Sequence, residues 1–162
     1  MPTTRSTNLI NKMLKLTVQY IEPFEELPRQ TLRTWALAAV KRAHEFVEFD
    51  SAELNLRFVG PEEARNLNSV YRKKEYVPNI LTFDYGVDAL DVLRADIIIC
   101  KDILLKEALD QGKSIKQHAC HLVVHGVLHA CGFDHMDEES AIEMESLEAE
   151  IVQSFGFPHP YI

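Results

Sequence analysis

What the chain lacks narrows what it can be. Its three cysteines, at positions 100, 120 and 131, form no Cys-x-x-Cys pair, and an odd number of them in 162 residues excludes a disulfide-stapled scaffold. Free thiols in a reducing compartment are expected instead. Each lies in an apolar run, so packing rather than reactivity is their predicted role. No apolar run approaches the roughly eighteen residues needed to cross a bilayer. The opening residues, Met1-Pro-Thr-Thr-Arg5, carry no secretory signal, so a cytoplasmic protein without a membrane partner is expected. Repeats, low-complexity tracts and linkers are also missing, and residues 1–162 are expected to form one compact domain.

Lysine and arginine are absent beyond Lys116. All seventeen lie in residues 1–116 beside seventeen acids, so residues 117–162, with eight acids, supply the whole net charge of −8. A chain of this balance cannot hold nucleic acid by bulk attraction; any such contact must be a local basic patch. The best candidate runs from Arg65 to Lys74 and contains Arg65, Arg72, Lys73 and Lys74. For Lys73 and Lys74 the competing reading is a solvated helix end.

Periodicity predicts the elements. Leu16–Ile21, Ala52–Val59, Ile80–Tyr85 and Val92–Cys100 read as strands. Residues 30–47 read as a core-facing helix, with Leu32, Trp35, Ala36, Ala39, Val40, Ala43 and Phe46 at helical spacing. Pro61 opens a short helix to about Tyr71, and a further helix over Asp102–Gln111 is closed by Gly112. Ser114, with Gln117 at the capping-box position, opens a histidine-bearing helix. A last helix over about 137–155 ends at Gly156, and the following Phe157-Pro-His-Pro-Tyr161 is expected to be irregular. The class is α+β: a small mixed sheet with helices. In the last helix Met144, Leu147 and Ile151 form the apolar stripe. Its acids, Asp137, Glu138, Glu139, Glu143, Glu145, Glu148 and Glu150, read as a solvated face.

The chemistry concentrates in His125-Gly-Val-Leu-His129-Ala-Cys-Gly132-Phe-Asp-His135. Histidines four apart stack on one helical face. A glycine three residues on can end the helix in the left-handed conformation and turn His135 back toward them. Three neutral imidazoles without a fourth protein ligand are the arrangement of a catalytic Zn2+, one position staying open for water or substrate. By ligand type alone, Cu, Ni or Fe would also suit. The spacing equals that of the three-histidine zinc peptidases, whose general base is a Glu directly after the first histidine. Here that residue is Gly126, which disfavours a peptidase and suggests that a ligand or another backbone comes close there. His118 and His121 share the histidine face. Either one orients the site, meets substrate or packs, and a structural role or one behind a ligand is favoured over direct ligation for both. Asp134 either braces a ligand imidazole or caps the turn after Gly132.

Residues 125–135 also match, at each fixed position, the signature H-G-x-L-H-x-x-G-[YF]-D-H, and on it the chain resembles the YbeY endoribonucleases, bacterial factors in ribosomal RNA maturation. The resemblance extends to Asn68-x-x-Tyr71-Arg72-x-Lys74-Glu75, Asn79-Ile-Leu-Thr-Phe83 and Ala95-Asp-Ile-Ile-Ile99, within about residues 55–157. Glu75, Pro78, Ala95 and Cys131 stand where that family usually has Asp, Thr, Gly and Leu. The resemblance implies a sheet flanked by helices, one zinc held by His125, His129 and His135, and cleavage of single-stranded RNA at the 3′ end of 16S rRNA. It further implies a role in ribosome quality control, with rRNA precursor and the ribosomal subunit or its assembly proteins as partners. Zinc bound by neutral imidazoles keeps its charge, polarises a phosphoryl oxygen and acidifies water. A cation opposite it would stabilise the charge that grows on phosphate. Arg72, whose guanidinium matches two phosphate oxygens, is the candidate catalytic residue both chemically and by the resemblance; the competing reading is a structural salt bridge. The alternatives in function are a zinc-containing assembly or RNA-binding factor without catalysis and, less favoured, a zinc peptidase.

Overall fold

The computed structural model describes residues 12–162; the reading of Met1–Arg5 as lacking a secretory signal lies outside the described residues. Along the chain run β1 (Leu14–Tyr20), α1 (Arg29–Ala43), β2 (Ser51–Val59), α2 (Pro61–Arg72), β3 (Ile80–Val87), β4 (Val92–Cys100), α3 (Lys101–Asp110), α4 (Ile115–Ala130) and α5 (Glu138–Ser154). The sheet order is β1-β2-β4-β3. β1, β2 and β4 are parallel, and β3 is antiparallel to β4 at one edge.

Alternation along β4 divides the core. Leu93, Ala95, Ile97 and Ile99 enter the main cluster with residues of α1, α4 and α5. Ile98 and Cys100 point the other way, into a smaller cluster with Val59, Ala64 and Leu81. A strand buried on both faces reads as a continuous apolar run, which explains Ile97-Ile98-Ile99. No helix among the described residues is long and apolar enough to cross a membrane.

Two expectations are corrected. Helix α1 stops at Ala43 instead of reaching 47, because its end tightens into a turn: Glu45 N–H bonds Arg42 O at 3.2 Å and Phe46 N–H bonds Ala43 O at 2.9 Å, each three residues back. Phe46 therefore leaves the core stripe and is 53% exposed, its ring 6.0 Å from that of Phe133. At Gly126 it is neither a ligand nor a backbone that comes close. A Cβ there would lie 2.9 Å from Ile80 Cδ1 and 2.9 Å from Ile97 Cγ2, so the glycine lets α4 seat directly on β3 and β4.

Candidate metal centre and cleft

Local rules carry the histidines into place. Ser114 Oγ accepts Gln117 N–H at 3.1 Å and starts α4. At the other end Gly132 takes φ +102°, with Gly132 N–H on His129 O at 3.0 Å and Phe133 N–H on Leu128 O at 3.1 Å. This paired closure is a Schellman motif. It reverses the chain so that His135 returns beside the helix.

Ring centroids lie 6.3 Å apart for His125 and His129, 5.7 Å for His125 and His135, and 6.3 Å for His129 and His135. All three line one open cleft of about 920 Å3, with Arg72, Asn79, Thr82, Asp84, Glu107 and Asp134 also in its wall. Three imidazoles on one tetrahedral ion, bonded at about 2.1 Å, would have centroids about 5 Å apart. Among the described residues, no three His, Cys, Asp or Glu side chains are arranged to hold a metal ion as they stand. The three rings are thus somewhat wider apart than a closed shell requires, and His135 sits on an exposed turn. In chemistry the three rings, gathered in one cleft, suit a divalent ion.

Behind His125 lies a residue that sequence reasoning placed on the solvated face of the last helix. Glu148 is fully buried. Its Oε1 accepts from His125 Nδ1, its Oε2 accepts from the Tyr161 hydroxyl, and His121 Nε2 lies 3.3 Å from Oε2. Burial alone would raise the carboxyl pKa, but the hydrogen bonds from His121 and His125 outweigh it and pull the group down to about 2. With Nδ1 engaged, Nε2 is the ring nitrogen His125 has left for another partner. One signal was readable: Glu148 follows Leu147 and precedes Ile151 by three, on the apolar stripe.

The other predicted residues separate clearly. His118 is buried, its Nε2 3.0 Å from Glu107 Oε1, while Asn79 Nδ2 donates to both Glu107 oxygens at 3.2 and 3.4 Å. Burial lowers the His118 pKa and favours the neutral ring. Arg72 ends α2 at the cleft rim, exposed, and among the described residues it makes no ion pair or hydrogen bond of the kind a structural salt bridge requires. Arg65 donates from Nε to Glu75 O at 3.0 Å and pins the loop after α2. Lys73 and Lys74 are exposed beside that rim, outside the cleft wall. Asp134 Oδ1 accepts Met136 N–H at 3.3 Å, which braces the turn. Burial pushes the Cys131 thiol up to about 12, in keeping with packing.

Fold and cleft together define a class: a small α+β domain with three imidazoles in one open cleft and, at its rim, a guanidinium without an ion pair among the described residues. A family model described as Endoribonuclease YbeY matches residues 17–156. Endoribonuclease YbeY of Bordetella avium is 46% identical over 151 residues, covering 92% of this chain and 94% of that protein. Its counterpart in Thiobacillus denitrificans is 43% identical over 149 residues, covering 91% and 96%. A Thermotoga maritima protein of known solution structure shares the fold, with a TM-score of 0.56 at 19% identity, over 89% of this chain and 92% of that one. The chain belongs to the endoribonuclease YbeY family, a family of metalloenzymes.

Proposed function

We propose that this chain is a zinc-dependent endoribonuclease that cuts single-stranded RNA in rRNA precursors, at the 3′ end of 16S rRNA. It would act in the cytoplasm in ribosome maturation and quality control, with residues 1–162 working as one unit. The observation that carries the reading is the meeting of His125, His129 and His135 with the exposed Arg72 in one cleft. Three neutral imidazoles suit zinc and leave one position for a further ligand. A divalent ion held by His125, His129 and His135 would supply positive charge able to polarise a phosphoryl oxygen and acidify water.

The protein's own groups do the rest. Arg72 presents five donors in a rigid fork and can grip two phosphate oxygens as charge grows on them. Lys73 and Lys74 extend positive charge along the same rim and attract the backbone on either side of the scissile bond. Exposed Tyr71 and Tyr76 flank those cations and offer rings on which unpaired bases stack, which favours single strands over duplex. Contact with the ribosomal subunit or its assembly proteins would deliver the precursor. A peptidase is disfavoured, since the position where those enzymes carry their Glu is packed against Ile80 and Ile97.

The test is cleavage of a labelled single-stranded RNA and of the same sequence annealed to its complement. Wild type should cut the single strand preferentially. Arg72→Ala should bind zinc as wild type does and lose about 100-fold or more in rate, the usual loss for a donor that stabilises developing charge. Equal rates for Arg72→Ala and wild type would contradict the assignment.

A further inference from the structure

We propose that Glu148 and Tyr161 are positioning residues for the metal site: the segment after α5 fixes the buried carboxylate, and the carboxylate fixes the imidazole of His125. The proposal rests on the reading of His125, His129 and His135 as metal ligands, and it adds what holds the first of them in place.

A buried carboxylate needs a partner for each oxygen. Glu148 has them from two directions. Oε1 takes His125 Nδ1, on the cleft side. Oε2 takes the Tyr161 hydroxyl, which also lies 3.2 Å from His121 Nε2. The Tyr161 ring stands edge-on to His121 with centroids 5.1 Å apart. The segment carrying it is tied to the helix layer by Lys113, whose Nζ donates to Pro160 O at 3.2 Å, and is folded on itself by Tyr161 N–H donating to His159 Nδ1 at 3.1 Å. A carboxylate accepting the outer N–H of a metal-binding histidine fixes its tautomer and ring direction and raises its basicity. Removing such a partner typically weakens metal affinity 10- to 100-fold. Tyr161 acts one step further out: with His121, whose Nε2 lies 3.3 Å from the same oxygen, it occupies Oε2 and so holds Oε1 toward His125.

The experiment is zinc affinity, measured by competition with a chromogenic chelator, for wild type, Glu148→Gln, Tyr161→Phe, and Glu139→Gln as an exposed control on the same helix. Proton NMR of the metal-free proteins follows the His125 Nδ1–H resonance in parallel. Tyr161→Phe keeps the ring and guards against failure of Glu148→Gln to fold. Glu148→Gln should bind zinc about 10- to 100-fold more weakly and Tyr161→Phe about 10-fold, with Glu139→Gln unchanged. The Nδ1–H resonance should be downfield in wild type and shift or broaden in both variants. Wild type that binds zinc tightly, with both site variants unchanged in affinity and resonance, would overturn the proposal alone. Wild type that binds zinc no better than His125→Ala would overturn the metal-site reading, and the proposal with it.

Discussion

Replacing Gly126 with alanine puts one methyl group where α4 meets the sheet. Its carbon would lie 2.9 Å from Ile80 Cδ1 and from Ile97 Cγ2, whereas carbon atoms pack best about 3.5–4.0 Å apart. The Ile80 atom is the free end of a half-buried side chain and can swing aside. Ile97 Cγ2 cannot, because it is attached to the branched carbon of a residue only 1% exposed in the middle of the sheet. The helix must therefore back away. Overpacking of this kind costs about 1–3 kcal/mol, while alanine in place of glycine returns about 1 kcal/mol of helix propensity. The net is a loss of about 1 kcal/mol, or a Tm lower by about 2–4 °C for a chain of this size. His125 and His129 ride on the displaced helix, so if they hold zinc as proposed, its affinity should fall with Tm. Circular dichroism melts of metal-free protein and a zinc competition titration measure both. Adding Ile80→Val removes one of the two clashing atoms, so the double variant should lose less than the sum of the single changes. A Gly126→Ala protein that melts at or above wild type would refute the close-seating account.

Other consequences are equally concrete. Lys73 closes α2 at φ +55°, a left-handed conformation that costs a side-chain-bearing residue about 1 kcal/mol; Lys73→Gly should raise stability to denaturant by about that much, and an unchanged midpoint would contradict it. Asp137 caps α5 by accepting Ser140 N–H at 2.7 Å, which holds its carboxyl below the ordinary 3.8. A depressed folded pKa gives stability that is present above the unfolded value and lost as pH falls through the folded one. Asp137→Ala should therefore lower Tm at pH 7, with the deficit shrinking below about pH 3.8; a deficit constant across that range would rule the linkage out.

Much of this was legible before the structure because it rests on local rules. The β4 run Val92–Cys100 agrees with the sequence reading at both ends, and α2 agrees within a residue. Ser114 and Gly132 mark the ends of α4 through chemistry that involves only their neighbours. The spacing of His125, His129 and His135 carries the site for the same reason. What was hidden depends on long-range contacts. Glu148 sits in a helix crowded with acids that are mostly solvated, and only its place beside Leu147 set it apart. Tyr161 belongs to a segment without periodicity, yet it meets His121, forty residues earlier. The role of Gly126 needed the sheet, since neither Ile80 nor Ile97 is near it in sequence.

The central claim is that a metal gripped by His125, His129 and His135 performs the cleavage and does not merely hold the fold. Zinc content and single-stranded RNA cleavage, measured together on wild type, His129→Ala and chelator-stripped wild type, test it most directly. One zinc per chain is expected in wild type, with loss of zinc and of cleavage in the other two and folded circular dichroism spectra for all three. Cleavage that survives loss of zinc, or a fold that collapses on stripping as structural zinc domains do, would contradict it.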